Sequence, residues 1–547
     1  MDTQRLILLF IFGFSVLMLW EAWEREHRPK PSPAPVTQQV APAAPQGKPA
    51  ASTPSAGPIA AAGPAEPGEI IRVTTDLVIA EIDTRGGTLK RLELLRHKDS
   101  SDPDKNLVLI SPAHQYEAQS GLAGEGGPNH RTLWKAEPGA RTLAPDAETV
   151  EVKLTAEGND GVAVQKVFTF HRNSYVIDVA LELRNGGATP LNTYAYFQFT
   201  HDGKPEGNRN SVAETFGARS FTGLAVYTDE HKYQKVHPED LDKGKADHVK
   251  EAKDGWLALV QHYFVSAWIE PQGVLRDYVM EKRQDGTYAG RILVPVSVAA
   301  GASTNVKVEL YAGPQEKRRL EAAAPGLDLV VDYGWLAIIA WPLFWLLEHL
   351  HALTGNWGAA IILLTVLIKL MFFPLSAASY RSMAKMKLIT PRLTKIRETY
   401  GNDRQKMNQA MMELYKTEKI NPLGGCFPIL VQIPVFIALY WVLLAAIELR
   451  HAPFILWIHD LSALDPYFIL PVLMTVTMVL QTRMNPTPPD PVQAKVMQFM
   501  PFVFSIFFFF FPAGLVLYWL VNNILSILQQ WQIQRMFNRD KPAHAKR

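Results

Sequence analysis

The chain has 547 residues, a formal net charge of +2 and one cysteine. This length exceeds that of one ordinary domain, the balanced charge does not favour bulk binding of nucleic acid, and a single cysteine excludes an internal disulfide bond. No cluster of Cys and His residues has the spacing of a structural zinc site, so we predict neither a metal nor a cofactor. Long apolar runs are concentrated after residue 330, which divides the chain into two unlike halves.

The N-terminal segment predicts a membrane anchor followed by a tether. The apolar run LILLFIFGFSVLMLW follows Arg5, and bulky residues such as Trp20 stand where signal-peptide cleavage requires small ones. We therefore predict an uncleaved transmembrane anchor over residues 1–28, with a cleaved signal peptide as the alternative. Residues 29–69 are rich in Pro and Ala and offer too little apolar surface to fold, so they are predicted to form a flexible tether.

Residues 70–320 are predicted to form an all-β sandwich. In YVIDVALELRNGG, apolar residues occupy every second position from Tyr175 to Leu183, and a Gly-rich turn begins at Asn185. Many short strands separated by turn residues are typical of a large sandwich. The segment has no nucleophile elbow, phosphate loop or metal-ligand spacing, and its scattered histidines are predicted to be surface residues.

Five apolar stretches in the second half are long enough to cross a bilayer as helices, which gives six spans with the N-terminal anchor. They cover residues 357–380, 427–446, 466–482, 493–511 and 513–531. A further stretch, residues 333–353, is rich in Trp, contains Pro342 and ends with Glu348 and two histidines. We predict that it is an amphipathic helix lying in the membrane interface.

The basic residues predict the orientation of the chain. Lys and Arg are concentrated in the loop at 381–420 and in the tail at 532–547, whereas the loop at 448–465 has few of them. Basic loops of membrane proteins lie in the cytoplasm. We therefore predict that both termini are cytoplasmic and that the β domain is extracytoplasmic.

The basic loop has the pattern of a helical hairpin. Apolar residues recur at spacings of three and four in two arms, and Asp403 is placed to cap the second helix. The stripes comprise Met386, Ile389, Leu393, Ile396 and Tyr400 in the first arm and Met407, Met411 and Leu414 in the second. A solvated linker and a docking platform for apolar partners are the alternative interpretations.

One cation, Lys369, lies inside an apolar stretch, four residues after Thr365 and on the same helix face. A lysine at the centre of a spanning helix costs ~2.5–3.5 kcal/mol. Its ammonium group either snorkels to the cytoplasmic interface or faces a hydrated cavity. The later spans carry no Asp or Glu but do carry neutral polar residues such as Gln432 and Asn522. We favour a hydrated cavity to which another polypeptide brings the negative partner.

Other membrane functions are less well supported by the residues. Embedded carboxylates, His relays and inverted repeats, which are typical of many transporters, are not evident. The spans also lack the residue sets that intramembrane hydrolysis requires. A small-solute transporter or channel, and a scaffold that only anchors the β domain, remain the rival hypotheses.

Three stretches closely resemble the YidC family of membrane protein insertases: NPLGGCFPILVQIPVFIALYWVL at 421–443, ELRHAPFILWIHDLSALDPYFILPVLM at 448–474 and FPAGLVLYWLVNN at 511–523. The order of anchor, tether, β domain, interfacial helix and five-helix core (residues 357–531) is similar to that of the long Gram-negative form. The resemblance implies a polytopic α-helical membrane core with a large extracytoplasmic all-β supersandwich, which is similar to the sugar-mutarotase fold.

The resemblance also implies the function. It predicts a non-enzymatic insertase and chaperone of the inner membrane, acting alone or with the Sec translocon, with both termini in the cytoplasm and the large domain in the periplasm. Expected partners are nascent membrane-protein substrates, the Sec translocon and the bilayer, with the ribosome and targeting factors as further candidates. Nucleic acid is not expected as a substrate.

The site residues follow from the same resemblance. The family has a hydrophilic groove that opens to the cytoplasm and carries one cation, more commonly Arg, at the position of Lys369. The other groove positions are Thr365, Gln432, Tyr518, Trp519 and Asn522. The lipid-side exit for substrate is represented by Phe436, Met474, Phe502 and Phe504. The cytoplasmic recruiting hairpin is represented by Met386, Ile389, Leu393, Met407 and Met411.

Overall fold

The structure, a computed structural model, describes residues 68–100, 102, 104–124, 127–205, 221–400, 403–418, 427–485 and 491–539. The predicted anchor at 1–28 and nearly all of the tether at 29–69 lie outside the described residues. Residues 540–547 of the predicted basic tail also lie outside them.

The first half of the chain forms strands, as the alternating pattern predicted. The strands before the middle of the domain are β1 (Ile70–Thr74), β2 (Val78–Asp83), β3 (Thr88–Lys98), β4 (Asn106–Ile110), β5 (Glu117–Ala123), β6 (Lys135–Ala136), β7 (Thr149–Glu157), β8 (Val162–His171) and β9 (Val176–Asn185). The remaining strands are β10 (Leu191–His201), β11 (Gly223–Thr228), β12 (Lys232–Val236), β13 (Glu251–Ala252), β14 (Trp256–Val260), β15 (Phe264–Ile269), β16 (Arg276–Lys282), β17 (Tyr288–Val298) and β18 (Ser303–Pro314).

These strands form two antiparallel sheets. Within the described residues, the first sheet has the order β1-β2-β3-β5-β10-β17-β16-β13, with β4 paired to β3. The second has the order β12-β11-β14-β15-β18-β9-β8-β7-β6. Most pairs join strands that are neighbours in sequence, and the long-range pairs β5–β10, β10–β17 and β9–β18 bring strands from the two ends of the domain into the same sheets.

The core of the domain lies between the two sheets. Alternate side chains of β9, including Ile177 and Val179, are at most 2% exposed, as the sequence predicted. Phe197 and Phe199 of the first sheet each lie 5.4 Å from the ring of Trp268 in the second. Aromatic contacts of this kind add specific geometry to the burial of apolar area, and they hold the two sheets face to face.

The second half of the described chain is helical. The helices are α1 (Pro238–Asp242), α2 (Lys317–Ala323), α3 (Ala337–Thr354), α4 (Trp357–Met371), α5 (Phe373–Tyr400), α6 (Arg404–Thr417), α7 (Phe427–Ala445), α8 (Ile469–Met484), α9 (Pro491–Phe508) and α10 (Ala513–Arg539). Two short helices, α1 and α2, lie in the β domain or directly after its last strand, and the other eight form the helical region that follows. α10 contacts α4, α5, α7 and α8, and it is therefore the central helix of this region.

The structure differs from the predicted span at 357–380. α4 ends at Met371, α5 begins at Phe373, and the two helices meet at an angle of 67°. Pro374 has no amide hydrogen to donate to the carbonyl of Leu370, and its fixed φ suits the first turn of a new helix. The apolar pattern did not reveal this bend because the sequence is apolar both before and after it.

The lengths of the apolar helices can be compared with the length that a membrane-spanning helix requires. Among the described residues, Gly334–Thr354 is the one unbroken helical segment that is long and apolar enough to cross a membrane, and the bent α4–α5 pair passes the same test together. Shorter apolar segments lie at Val431–Ala445, Ile469–Met484 and Ala494–Phe508. The length of the segment containing α3 thus suits a span as well as an interfacial helix, and its position in the interface stays a prediction.

Several contacts join the β domain to the helical region. His262, in the turn between β14 and β15, lies 3.1 Å from the carbonyl oxygen of Leu444 in the last turn of α7. His451 lies 3.2 Å from the carbonyl oxygen of Lys98 at the end of β3. The unpaired carbonyls at a helix C-terminus require such donors, so the β domain helps to fix the end of α7.

Candidate functional site

The predicted groove cation lies between helices. Lys369 is on α4, two residues before the helix ends, and its side chain is 6% exposed. Its ammonium Nζ donates a hydrogen bond of 2.8 Å to Ser526 Oγ on α10. Within the described part of the chain, no carboxylate forms an ion pair with Lys369. The structure thus gives this cation a neutral partner from the protein.

Ser526 connects the cation to two more groups. Its hydroxyl donates 2.8 Å to the carbonyl oxygen of Asn522, one turn earlier on α10. Tyr380, on α5, forms a further side-chain hydrogen bond with Ser526. Because Lys369 also contacts this serine, α4, α5 and α10 all meet at one hydroxyl group.

Of the other predicted groove residues, Gln432 joins this cluster from α7, whereas Thr365 does not. Gln432 Nε2, on α7, donates 3.1 Å to the side-chain oxygen of Asn522. Thr365 is 1% exposed, and its hydroxyl donates 2.7 Å to the carbonyl of Ile361 in its own helix. The structure therefore brings Lys369, Gln432 and Asn522 together, whereas the hydroxyl of Thr365 is bonded within α4.

The predicted aromatic pair lies next to Phe436. The ring of Trp519 stacks on Phe436 at 5.3 Å with planes 10° apart, and Tyr518 lies 6.0 Å from the same ring. Tyr518 is 1% exposed. Among the described residues, neither the Tyr518 hydroxyl nor the Trp519 indole nitrogen has a hydrogen-bond partner. A polar chain that entered here would find two unoccupied donors beside an apolar ring.

The four residues predicted for lipid-side exit do not share one surface. Phe502 and Phe504 on α9 are 52% and 47% exposed. Phe436 is half-buried against Trp519. Met474, by contrast, is buried within the helical core, and its role at the lipid-side exit stays a prediction. α8 is apolar around much of its circumference, and its sequence therefore did not reveal which face packs inside.

The predicted hairpin is present, and its apolar stripes pack against each other. Asp403 accepts hydrogen bonds of 3.1 Å from the amides of Gln405 and Lys406, which confirms it as the cap of α6. Ile389 and Leu393 are buried. The partly buried residues around them are Met386, Met411, Leu414 and Tyr415. Packing inside the hairpin accounts for part of each stripe. Ile396 and Met407 are half-buried outside this cluster, and Tyr400 is exposed.

The sequence analysis missed two members of the site, Ser526 and Tyr380. Both are common residue types, and neither stands out in an apolar stretch. One signal was available: Ser526 follows Asn522 by four residues and Tyr518 by eight. Residues at these spacings share one face of a helix, so the three polar side chains of α10 could have been grouped before the structure was known.

A second polar cluster lies in the β domain. His114, His201 and Asp202 offer ligand atoms within 4.8 Å of one another. His201 is 1% exposed, so the prediction that it is a surface residue is wrong. Its Nδ1 already accepts 2.8 Å from the amide of Gly203, and burial lowers its pKa to about 4. The Nδ1 atom of His201, which lies 3.6 Å from Asp202 Oδ1, would have to give up this bond to Gly203 in order to ligate a metal ion.

Both halves of the chain match known family models. Residues 349–541 match a model described as 60Kd inner membrane protein, and residues 70–346 match one described as YidC periplasmic domain. A protein of Aromatoleum aromaticum named membrane protein insertase YidC is 52% identical over 548 residues, which covers 99% of this chain and 99% of the relative. A protein of Dechloromonas aromatica with the same name is 52% identical over 546 residues, with 98% of each chain covered.

A solved structure also resembles the chain. A crystal structure of an active YidC insertase with its first transmembrane domain resolved has 18% sequence identity and a TM-score of 0.39, covering 85% of this chain and 94% of that chain.

Proposed function

Because the chain belongs to the YidC family of membrane protein insertases, we propose that it inserts its substrates through the polar cluster around Lys369. The chain is an inner membrane protein with a periplasmic β domain, and it is not an enzyme. Its substrates are membrane proteins. The proposal concerns the route that a substrate takes and the residues that it meets.

The observation that carries the proposal is the state of the Lys369 ammonium group. It is held between helices by a hydroxyl group, and the described residues offer it no carboxylate. An ammonium group has three donors, and a hydrogen bond to a charged partner is roughly twice as strong as one between neutral groups. An acidic or polar flank of an incoming chain is therefore the partner that Lys369 lacks.

Short helices support a reduced barrier around this site. At 1.5 Å per residue, the 15 residues of α4 span about 22 Å and the 16 residues of α8 span about 24 Å. The hydrocarbon core of a bilayer is roughly 30 Å thick. Helices shorter than this thickness thin the bilayer around them, which would shorten the apolar path that a polar flank must cross.

The apolar part of the substrate would leave sideways into lipid. Phe502 and Phe504 on α9 expose about half of their side-chain surface, and Phe436 lines the way from the groove. Transfer into hydrocarbon gains ~0.8 kcal/mol per methylene group, which is sufficient to drive exit without a nucleotide. In this pathway the groove opens to the cytoplasm, both termini are cytoplasmic and the hairpin α5–α6 receives the substrate.

Further partners belong to the same proposal. The chain would act alone or beside the Sec translocon, and the ribosome and targeting factors would deliver substrates to the hairpin. The segment at 333–353 would lie in the membrane interface, where Trp335 and Trp345, which are 75% and 59% exposed, suit headgroup depth.

Insertion by the reconstituted full-length chain tests the role of Lys369. We expect Lys369→Leu to slow the insertion of a substrate with an acidic tail by about tenfold or more, because a hydrogen bond to a charged group contributes ~1.5–3 kcal/mol. A matched substrate with a neutral tail should be much less affected, and Lys369→Arg should preserve insertion of both. Lys495→Leu, which removes an exposed charge from α9, is the control.

Two results would contradict the proposal. If Lys369→Leu inserts the acidic-tailed substrate at the normal rate, the helical region acts as a scaffold and the cation has no role. If the wild-type chain conducts ions or small solutes across proteoliposomes and Lys369→Leu abolishes this flux, the chain is a channel or transporter instead.

A further inference from the structure

Three hydrogen bonds converge on the hydroxyl group of Ser526. Ser526 Oγ receives the Lys369 ammonium at 2.8 Å and donates to the Asn522 carbonyl at 2.8 Å, while Tyr380 supplies a third hydrogen bond. From this convergence we infer that Ser526, supported by Tyr380, is a positioning residue that holds Lys369 at the groove. The inference rests on the proposed function for its consequence, but its geometry is independent of it.

The Ser526 hydroxyl is bonded to Lys369, Asn522 and Tyr380. A serine hydroxyl has one donor and two acceptor lone pairs. Its donor is committed to Asn522 within the same helix, so both lone pairs point away from that carbonyl and toward neighbouring helices. Lys369 takes one lone pair, and Tyr380 is also hydrogen-bonded to this serine. The bond to Asn522 thus fixes the direction in which the serine can accept.

Without the Ser526 hydroxyl as an acceptor, the ammonium group of Lys369 can move toward water. Lys369 has a flexible four-carbon stem and lies two residues before the end of α4, where the chain bends toward the basic hairpin. Long basic side chains move their charged ends toward water when nothing holds them at depth. Ser526 opposes this movement by accepting a hydrogen bond within the helix cluster.

It matters for function that Ser526, the acceptor that holds Lys369, is uncharged. A carboxylate at position 526 would pair with Lys369 and neutralise it. A hydroxyl positions the ammonium group and leaves its charge uncompensated, and an ammonium group has two further donors for an incoming acidic group. The seat formed by Ser526 and Tyr380 therefore keeps the cation in place and available at the same time.

Chemical labelling of Lys369 tests directly whether Ser526 holds its ammonium group among the helices. The full-length chain in proteoliposomes is treated with a membrane-impermeant amine-acylating ester, and the modification of Lys369 is measured by mass spectrometry relative to exposed Lys495. We expect Ser526→Ala to increase relative modification of Lys369 by about tenfold, as expected when a hydrogen bond to a charged group is lost. Ser526→Thr, which keeps the hydroxyl, should resemble the wild type.

Two further variants control for general effects. Ser505 on α9 is also buried and also bonds a carbonyl of its own helix, that of Pro501 at 2.5 Å. Ser505→Ala should leave the labelling of Lys369 unchanged. Tyr380→Phe should increase labelling less than Ser526→Ala does, because Lys369 keeps its acceptor. If Ser526→Ala does not fold, the Tyr380→Phe result decides the question.

The outcomes separate this inference from the proposed function. Equal labelling of Lys369 in Ser526→Ala and the wild type overturns the seat, whatever the rate of insertion. Increased labelling together with several-fold slower insertion of the acidic-tailed substrate alone supports both. If labelling increases but Lys369→Leu inserts normally, the seat is supported and the proposed function of the cation is rejected.

Discussion

The β domain and the helical region each bury a lysine, and the two lysines differ in the number and kind of their hydrogen-bond partners. Lys166 on β8 is fully buried and donates to the carbonyl oxygens of Gly86 and Gly87 at 2.8 and 3.1 Å and of Ser120 at 2.8 Å. The ring of Trp134 lies 4.5 Å from the same ammonium group. Lys369, in contrast, has one hydrogen bond to a hydroxyl from the described residues.

The difference separates a structural cation from an available one. All three donors of Lys166 are satisfied by acceptors that belong to the first sheet or to its turn, so the lysine ties the second sheet to the first. The turn makes room for it: Gly87 has φ +52°, and a Cβ there would lie 3.1 Å from Lys166 Nζ. All three donors of Lys166 are thus occupied, whereas the described residues accept a hydrogen bond from only one of the three donors of Lys369.

The largest effect is expected when the structural lysine is removed. Lys166→Met keeps an unbranched side chain that is one atom shorter, and it leaves three buried carbonyl groups without their donor. We expect the free energy of unfolding of the β domain to fall by ~3–5 kcal/mol, the range for breaking a buried charged interaction. The midpoint of urea unfolding, followed by the β-sheet circular dichroism of the full chain in detergent, measures this loss.

An exposed lysine on the neighbouring strand serves as the control for this measurement. Lys153 on β7 has a side chain that is 43% exposed and pairs with Glu151 at the surface. Lys153→Met should change stability by less than about 0.5 kcal/mol. A Lys166→Met protein that unfolds at the same midpoint as Lys153→Met would show that the three carbonyl contacts do not stabilise the domain, and the comparison of the two lysines would fail.

A smaller effect is expected from pH, and its sign follows from burial. Desolvation lowers the pKa of Lys166 to about 7, whereas an unfolded lysine has a pKa of about 10.4. Between these values the unfolded chain binds more protons at this position than the folded chain, so stability contributed by this group rises with pH. Below pH 7 both states are protonated and this dependence disappears.

The difference between the wild type and Lys166→Met isolates this dependence from other titrating groups. We expect the wild type to gain stability relative to the variant as the pH rises from about 7 to 10 in the same urea experiment. A stability difference that stays constant over this range would mean that Lys166 keeps its proton throughout, because its three carbonyl partners outweigh desolvation.

The sequence predicted the β domain better than the functional site, for a physical reason. Strand alternation has a period of two, so Ile177 and Val179 could be assigned to the core from the sequence alone. Asp403 was likewise predictable because a helix cap acts within three residues. The bend after Met371 was missed, although Pro374 is a signal that a helix begins or breaks there.

Interactions between distant residues were not predictable in this way. Ser526 lies 157 residues from Lys369 in the chain, and no local pattern connects them. Helices that are apolar on most faces also conceal which face is buried, as for Met474 on α8. Lys369 could be singled out from the sequence because a charge in an apolar stretch is costly, but its partner Ser526 could be identified only from the packing of the helices.

The smallest effect is expected for a neutral pair on the same central helix. Asn523 Nδ2, on α10, donates 2.9 Å to Thr477 Oγ1 on α8, and that hydroxyl donates 2.8 Å to the carbonyl of Met474. Such interhelical hydrogen bonds contribute ~0.6 kcal/mol on average in membranes. Asn523→Ala should therefore lower the thermal unfolding midpoint of the helical region slightly, as measured by circular dichroism of the full chain.

Asn523→Ala also tests whether polar side chains that contact Lys369 differ in their effect on insertion from a polar side chain that does not. Asn523 follows Asn522 directly, but its amide bonds α8 and does not contact Lys369. We expect Asn523→Ala to insert acidic-tailed and neutral-tailed substrates at the wild-type ratio of rates. If it reduced acidic-tailed insertion as much as Ser526→Ala does, any polar residue on α10 would matter equally, and the availability of the cation could not explain selectivity. An unchanged ratio would assign selectivity to the side chains that contact Lys369.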